Sequence, residues 1–585
     1  MSYERTGGVD RWRETWAPPL RAGAWRRHAQ ALSSWLPLIL IVAFGVLWPI
    51  ATFQIQSFVA GGWNGIVSAY SETGIGRTIG YTVAIAIADL VFAVVVGTGL
   101  ALCVLRLSPR WRSVGSIIPL VPLIIPAIAA VIGWIFLLTP RVGYLNVLLR
   151  KLPIFEHLTN GPFDIYTFSG IVFISGLLLS SFIFMFVLNG MRSIGGDLQE
   201  AAAIAGASPV KIFFTITLPQ LRPSLAYGGG IVTMLAVGQF STVILLSGPA
   251  RIDVLTTNMF YKLQVFPVPF TEVAALGLPL LLAGALVLVA QRWVIGDPRR
   301  YMTIGGRAQR HTTYEPVWWA AAAIAIYGVL AIMLPLCSLL YTSFTPFWSG
   351  ALRFDNLSLA NFTSILSNPY LLSAFQTTIV SALLTLLVVL PLGYWAARIL
   401  AFRTAAPAFV ARVLDILILL PYALPAVLFG FALLFAYTNP PFMLYGTKAI
   451  IVIAYCTIMI PYSTRLLLAQ LMSLGVEPWE ASSVSGAGPI RTFLHVTVPL
   501  MRRSASAAAA VICILLFQEF GVSLLVRTAS VQVIGGVLYD QYLAGSYPNV
   551  AVIAVLMVGV AVAGVASMLI FGGGDAFRKV GTRES

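Results

Sequence analysis

The chain has 585 residues, 59% of them hydrophobic and only 10% charged, with a mean hydropathy of +0.90. Such a composition excludes an ordinary soluble domain and requires a polytopic membrane protein. The formal net charge of +15 raises nucleic acid as a partner; the basic residues instead gather in the segments between apolar runs, as membrane orientation demands, and no nucleic-acid role is assigned.

In chain order, residues 1–34 read as a basic tail carrying Arg5, Arg11, Arg13, Arg21, Arg26 and Arg27. The apolar run at 35–55 follows it as a signal peptide would. It lacks a convincing small-residue cleavage site and is long enough to cross roughly 30 Å of hydrocarbon, about 20 helical residues, so it is read as a retained helix. Further spans are predicted at 80–106, 114–138, 168–190, 226–247 and 271–294. Asp89 lies inside the second and is a candidate for a pathway or gating role. The third holds Pro122 and Pro126 followed by Gly133. Proline frees backbone carbonyls, which hydrocarbon tolerates only against protein or a wet cavity, so this span is predicted to line a translocation pathway.

Between the fourth and fifth spans lies a helix–turn–helix signature. Asp197 is predicted to cap a helix with Glu200 at its third position, Gly206 to end it in the left-handed conformation, Ser208-Pro209 to start a second helix, and Pro219 to close the unit. The fifth span carries Gln239-Phe240, a second pathway candidate.

After a linker at 299–315 with Arg299, Arg300, Arg307 and Arg310, six more spans are predicted at 317–342, 371–400, 412–437, 449–470, 506–526 and 549–573. They repeat the features of the first six. Pro421, Pro425 and Gly430 match the proline pair and glycine of the third span. Glu519-Phe520 matches Gln239-Phe240 at an offset of 280 residues, with Gln518 beside it. An acidic group in mid-span costs about 2.5–3.5 kcal/mol, so Glu519 is expected to face protein or water. Asp415, three residues from Arg412, is expected to pair with it. Arg578, Lys579 and Arg583 close the chain, and the basic clusters place both tails and the linker in the cytoplasm.

The predicted fold is therefore all-α, with about twelve transmembrane helices in two homologous six-helix halves: a tail at 1–34, a first transmembrane domain at 35–298, a linker at 299–315, a second domain at 316–575 and a tail at 576–585. The four cysteines read as small packing residues, and the four histidines show no ligand spacing, so no metal site is assigned.

The strongest signal is the segment between the fourth and fifth spans, which recurs with no gap. Residues 200–224 and 480–504 share ten of 25 positions: Glu200/Glu480, Ala201/Ala481, Gly206/Gly486, Ala207/Ala487, Pro209/Pro489, Phe213/Phe493, Thr217/Thr497, Pro219/Pro499, Arg222/Arg502 and Ser224/Ser504. In the second copy Pro478 is expected at the first helical position. A lone copy reads equally well as a loop with two short amphipathic helices; two in register read as a pair of docking elements.

Glu-Ala-Ala, three residues, Gly, nine residues, Ile-x-Leu-Pro resembles the coupling motif of bacterial binding-protein-dependent ABC importer permeases. The first copy carries it through Glu200, Ala201, Ala202, Gly206, Ile216, Leu218 and Pro219. The second keeps Glu480, Ala481, Gly486 and Pro499 but has Ser482, Val496 and Val498 at the other motif positions. The resemblance covers both halves and points to the fused-permease branch, which includes iron(III), thiamine and phosphonate importers. It implies the type I importer permease fold in the bacterial inner membrane, two copies of a cytoplasmic ATPase seated on the coupling helices, and a periplasmic solute-binding protein facing residues 155–165, 248–270 and 528–548. It further implies alternating-access import of a small solute of the iron(III), thiamine, phosphonate or polyamine class. None of the five lysines follows a glycine as a P-loop requires, so the chain is expected to be no enzyme and to hold no cofactor, ATP and Mg being bound by the ATPase subunits. A twelve-helix secondary transporter is the alternative; it has no use for two docking segments.

Overall fold

The computed structural model describes residues 24–194, 196–295, 315–402 and 407–571. The arginines of both tails and of the linker named above lie outside the residues whose side chains are described. Among the described residues nine helices are long and apolar enough to cross a membrane, and three bent pairs bring the number to twelve, as predicted.

The first half comprises α1 (Ala24–Ser71), α2 (Ile75–Leu105), α3 (Pro109–Ile117) with α4 (Ala127–Leu138), α5 (Phe168–Ser193), α6 (Asp197–Ile204), α7 (Arg222–Val237) with α8 (Ser241–Ala250), α9 (Leu255–Lys262) and α10 (Phe270–Ile295). The second comprises α11 (Trp318–Phe344), α12 (Pro369–Ala401), α13 (Ala408–Ala423) with α14 (Ala426–Thr438), α15 (Lys448–Leu474), α16 (Glu477–Val484), α17 (Val498–Gln518) with α18 (Gly521–Val526), α19 (Ile534–Leu543) and α20 (Tyr547–Phe571). The stretches 248–270 and 528–548 are thus more than loops, since each folds a short helix.

Each half is built on its second and fourth spans, α2 on α5 and α12 on α15. A Cβ on Gly97 of α2 would stand 2.6 Å from the Ser180 carbonyl oxygen and 2.9 Å from the Phe184 nitrogen, so only glycine lets these backbones meet. Gly393 does the same against Ser463 of α15. The halves then interlock. The first span of each half lies against its own sixth span and the broken third span of the other: α1 on α10, α13 and α14, and α11 on α20 and α4. The chain cannot be separated into two bundles without stripping both first spans from their seats.

Three π-helical turns, Phe213–Thr217, Val329–Met333 and Phe493–Thr497, each end two residues before a proline: Pro219, Pro335 and Pro499. Proline lacks an N–H and its ring meets the carbonyl four residues back; widening the preceding turn removes the clash without ending the helix. This corrects the expectation that Pro499 closes the docking unit, while in the first copy the helix does break at Leu221, just past Pro219. In the second copy helix runs on unbroken from Pro489 to Gln518.

Gly97→Ala is expected to destabilise the detergent-solubilised protein by about 1–3 kcal/mol through overpacking. Gly99→Ala, where an added Cβ meets nothing within 4 Å, is expected to melt with the parent.

Candidate functional site

The two docking segments adopt the same backbone. Gly206 and Gly486 sit at φ +81° and +75°, the left-handed region predicted for them. In the first, the Gly206 N–H donates to the Ala203 carbonyl at 3.0 Å and the Ala207 N–H to Ala202 at 2.9 Å; in the second, Gly486 donates to Ser483 at 3.0 Å and Ala487 to Ser482 at 3.1 Å. This is the Schellman pattern that satisfies the last carbonyls of a helix, and it needs a residue without a Cβ penalty at the turn. Ser208 then caps the short helix Pro209–Ile212, its hydroxyl accepting from the Lys211 N–H at 3.4 Å. The helix starts differ from expectation. Asp197 is the first helical residue, Gly196 is the cap, and no side chain caps it; in the second copy the helix begins at Glu477, one residue before Pro478.

A side-chain hydrogen bond ties each docking helix to the turn that leads into the fifth span. Gln199 Nε2 donates to Thr217 Oγ1 at 3.1 Å, and Trp479 Nε1 donates to Thr497 Oγ1 at 3.0 Å. The identity of Thr217 and Thr497 between the copies was visible in the sequence, but nothing there showed what the hydroxyls hold. Apolar side chains stand in the open at matched places: Ile204 and Val484 are each 88% exposed, and Val210 pairs with Ile490 and Phe214 with Leu494 as further exposed positions. Glu200 and Glu480 are exposed beside them. Matched exposed apolar residues rimmed by polar ones mark a surface made to be covered.

Four breaks lie between these segments and the far side of the bundle. The third spans turn through 92° at Pro126 and 105° at Pro425, so they are broken outright. The fifth spans break as well, α7 turning 48° into α8 at Gly238–Phe240 and α17 giving way to α18 at Glu519–Phe520. The uninterrupted spans expected at 226–247 and 506–526 are therefore corrected.

The breaks of one half are met by the other. Gln518 Nε2 donates to the Ile124 carbonyl, freed at the first half's break, at 2.6 Å. At the reciprocal place stands Gly238, where a Cβ would lie 3.2 Å from Pro425 Cα. The Glu519 carboxylate folds back onto α18, accepting from the Val522 N–H at 2.7 Å, the Ser523 N–H at 2.8 Å and the Ser523 hydroxyl. Gln239 is held more loosely, its Nε2 reaching Thr242 Oγ1 at 3.5 Å while its buried Oε1 has no partner among the described residues.

Two other acidic residues fall away from the breaks. Asp89 is fully buried between α2 and α5 and bonded to Ser175 at 2.7 Å. Asp415 pairs across α13 and α15 with Arg465 at 2.6 Å rather than with Arg412. The structure thus gathers Pro126, Pro425, Gln239 and Glu519 at the breaks, with Pro122 and Pro421 in the turns before them, and leaves Asp89 and Asp415 in helix contacts.

Sequence comparison adds to this geometry. Residues 93–300 match the family described as binding-protein-dependent transport system inner membrane component. The chain is 23% identical over 497 residues to a ferric transport system permease protein, FbpB 1, of Haemophilus influenzae, covering 82% of this chain and 75% of the relative. It is 24% identical over 489 residues to the ferric transport system permease protein FbpB of Actinobacillus pleuropneumoniae, covering 81% and 68%. The sulfate transport system permease protein CysW of Synechococcus elongatus is 26% identical over 255 residues, which is 85% of that relative but 42% of this chain, about one of its halves. Residues 93–300 thus carry the domain of binding-protein-dependent ABC importer permeases, and permease relatives run along most of the length of this multi-pass membrane protein.

Proposed function

We propose that this chain is the membrane-spanning component of an ATP-driven importer that takes a solute delivered by an extracytoplasmic binding protein into the bacterial cytoplasm, through the inner membrane, by alternating access. The observation that carries the reading is the pair of docking segments: same backbone, same Schellman turn, same exposed apolar positions, each rooted by one threonine in the base of a fifth span. Two equivalent docking sites on one chain call for two copies of one cytoplasmic partner, and an ATPase pair that binds ATP and Mg fits that stoichiometry. Glu200, Ala201, Ala202, Gly206 and Pro219, with Glu480, Ala481, Gly486 and Pro499, are the proposed coupling residues.

In this reading, closure of the ATPase pair pushes both docking helices. The Thr217 and Thr497 bonds carry the push into α7 and α17, and the breaks at Gln239 and Glu519 turn it into parting of the halves. The path runs past those residues and the proline breaks. The ferric permease relatives support iron(III) as the cargo class, selected mainly by the binding protein.

Replacing Gly206 or Gly486 with a β-branched residue places a Cβ in left-handed backbone at a cost of about 1–2 kcal/mol and misaims the docking helix. The Gly206→Val, Gly486→Val double variant is expected to insert and express as the parent does, yet to lose transport and substrate-stimulated ATP hydrolysis. Parental transport with normal stimulation in that variant contradicts the coupling role.

Orientation has its own check. A cysteine engineered within 296–314 is expected to resist a membrane-impermeant thiol reagent added to intact cells and to react once the membrane is opened. Rapid labelling from outside reverses the topology.

A further inference from the structure

At the point where the two fifth spans break, four aromatic rings close the space between the halves. Phe240 stacks on Phe520 with centroids 5.7 Å apart and planes 22° apart. Phe260 of α9 meets Tyr539 of α19 at 6.0 Å. Within each half the rings also touch, Phe240 with Phe260 at 5.4 Å and Phe520 with Tyr539 at 6.0 Å. All four are buried, none more than 6% exposed. The positions correspond between halves, Phe240 to Phe520 and Phe260 to Tyr539. Of the four contacts, two cross from half to half and two lie inside one half.

The rings are anchored to their own halves. The Leu255 N–H at the start of α9 donates to Thr82 Oγ1 of α2 at 2.9 Å, and the Ile534 N–H at the start of α19 donates to Thr378 Oγ1 of α12 at 3.0 Å. Separation of the halves on the side away from the docking segments therefore breaks the two crossing contacts and leaves the other two intact. The leaves are unequally stiff. Phe520 follows Glu519, whose carboxylate is bound to two backbone N–H groups and the Ser523 hydroxyl, itself in contact with Tyr455 at 3.1 Å. Phe240 follows Gln239, whose one side-chain bond spans 3.5 Å.

We propose that Phe240, Phe260, Phe520 and Tyr539 form the extracytoplasmic gate of the path, a plug that parts along the line between the halves, and that Glu519 is a positioning residue that holds Phe520 in the plug while Phe240 is the freer leaf. The proposal rests on the reading of Gln239 as a pathway residue, just on the docking side of the plug.

The test is side-specific cysteine labelling in the assembled transporter, with Cys103, Cys337, Cys456 and Cys513 replaced and Gln239→Cys as the reporter. In the resting complex the reporter is expected to react with an impermeant thiol reagent from the cytoplasmic side, in inverted vesicles, and to be protected from the other side. Adding Phe240→Ala or Phe520→Ala is expected to speed labelling from the extracytoplasmic side by about tenfold or more, as a shift in the closed population requires. Adding Glu519→Gln is expected to give a smaller rise, and Phe240→Leu, which keeps most of the ring's bulk, to restore protection. Equal extracytoplasmic labelling with and without the alanine substitutions overturns the gate, and Glu519→Gln without effect overturns the positioning role. A reporter that reacts from neither side in any variant overturns the pathway reading instead. Should the alanine variants fail to insert, a Phe240→Cys, Phe520→Cys pair decides: a disulfide that stops transport until reduced supports the gate, and transport that continues with the disulfide formed contradicts it.

Discussion

In hydrocarbon no water is present to take up a freed backbone carbonyl, so a broken span survives only where protein or an enclosed wet space receives it. Among the described residues three of the twelve candidate spans are bent pairs, and a fourth stops at Gln518 just before α18; that one constraint explains much of the architecture. The first spans are exchanged between halves, α1 onto α13 and α14 and α11 onto α4, so that broken third spans are clothed by the opposite half. Gln518 reaches across to the Ile124 carbonyl at the first half's third-span break. The breaks place non-helical backbone at the seam between the halves, and the exchanged first spans hold that seam together.

The backbone is nearly two-fold, while the side chains are reciprocally unequal. On the side away from the docking segments, Arg527 and Asp540 form an ion pair where the first half has Ser247 and Tyr261 in a neutral hydrogen bond. Lys262 pairs with Glu272 and Glu72 where the second half has Gln541 and Asn549. Burial works against the Lys262 ammonium, yet its two carboxylate partners hold its pKa above the ordinary lysine value. Near the docking segments, Trp479 packs on Phe402 at 5.5 Å, whereas the smaller Gln199 borders an 890 Å³ cleft shared with Arg106 and Glu315. Fusion of the halves into one chain lets such differences persist, because each half always meets the same neighbour.

The sequence made the count of spans, their division into two halves and the left-handed glycines legible, because each rests on a local rule: apolar length, repeat offset, or helix-ending chemistry. The proline pairs pointed to the third-span breaks for the same reason. It was silent on the fifth-span breaks, since neither Gly238-Gln239-Phe240 nor Gln518-Glu519-Phe520 contains a proline; there the bend follows from packing against the other half and, in the second half, from the Glu519 carboxylate folding onto α18. Pro219 and Pro499 read as stops; a π turn precedes each, and in the second half the helix continues to Gln518, whereas in the first it breaks at Leu221. Asp415 found Arg465 rather than the nearer Arg412 for want of any signal of which helices adjoin. The aromatic plug was equally hidden, its rings lying about twenty residues apart within a half and 280 between halves.

Coupling in this chain requires both docking segments to seat against the same kind of cytoplasmic subunit. Single cysteines at Ile204 and, separately, Val484, crosslinked in native membranes with a short bifunctional thiol reagent, measure this without any assumption about cargo. Each cysteine is expected to capture one ATPase subunit of the same type, with nucleotide changing the yield at both. Capture of no ATPase from either position, with the cysteines freely reactive, contradicts that seating.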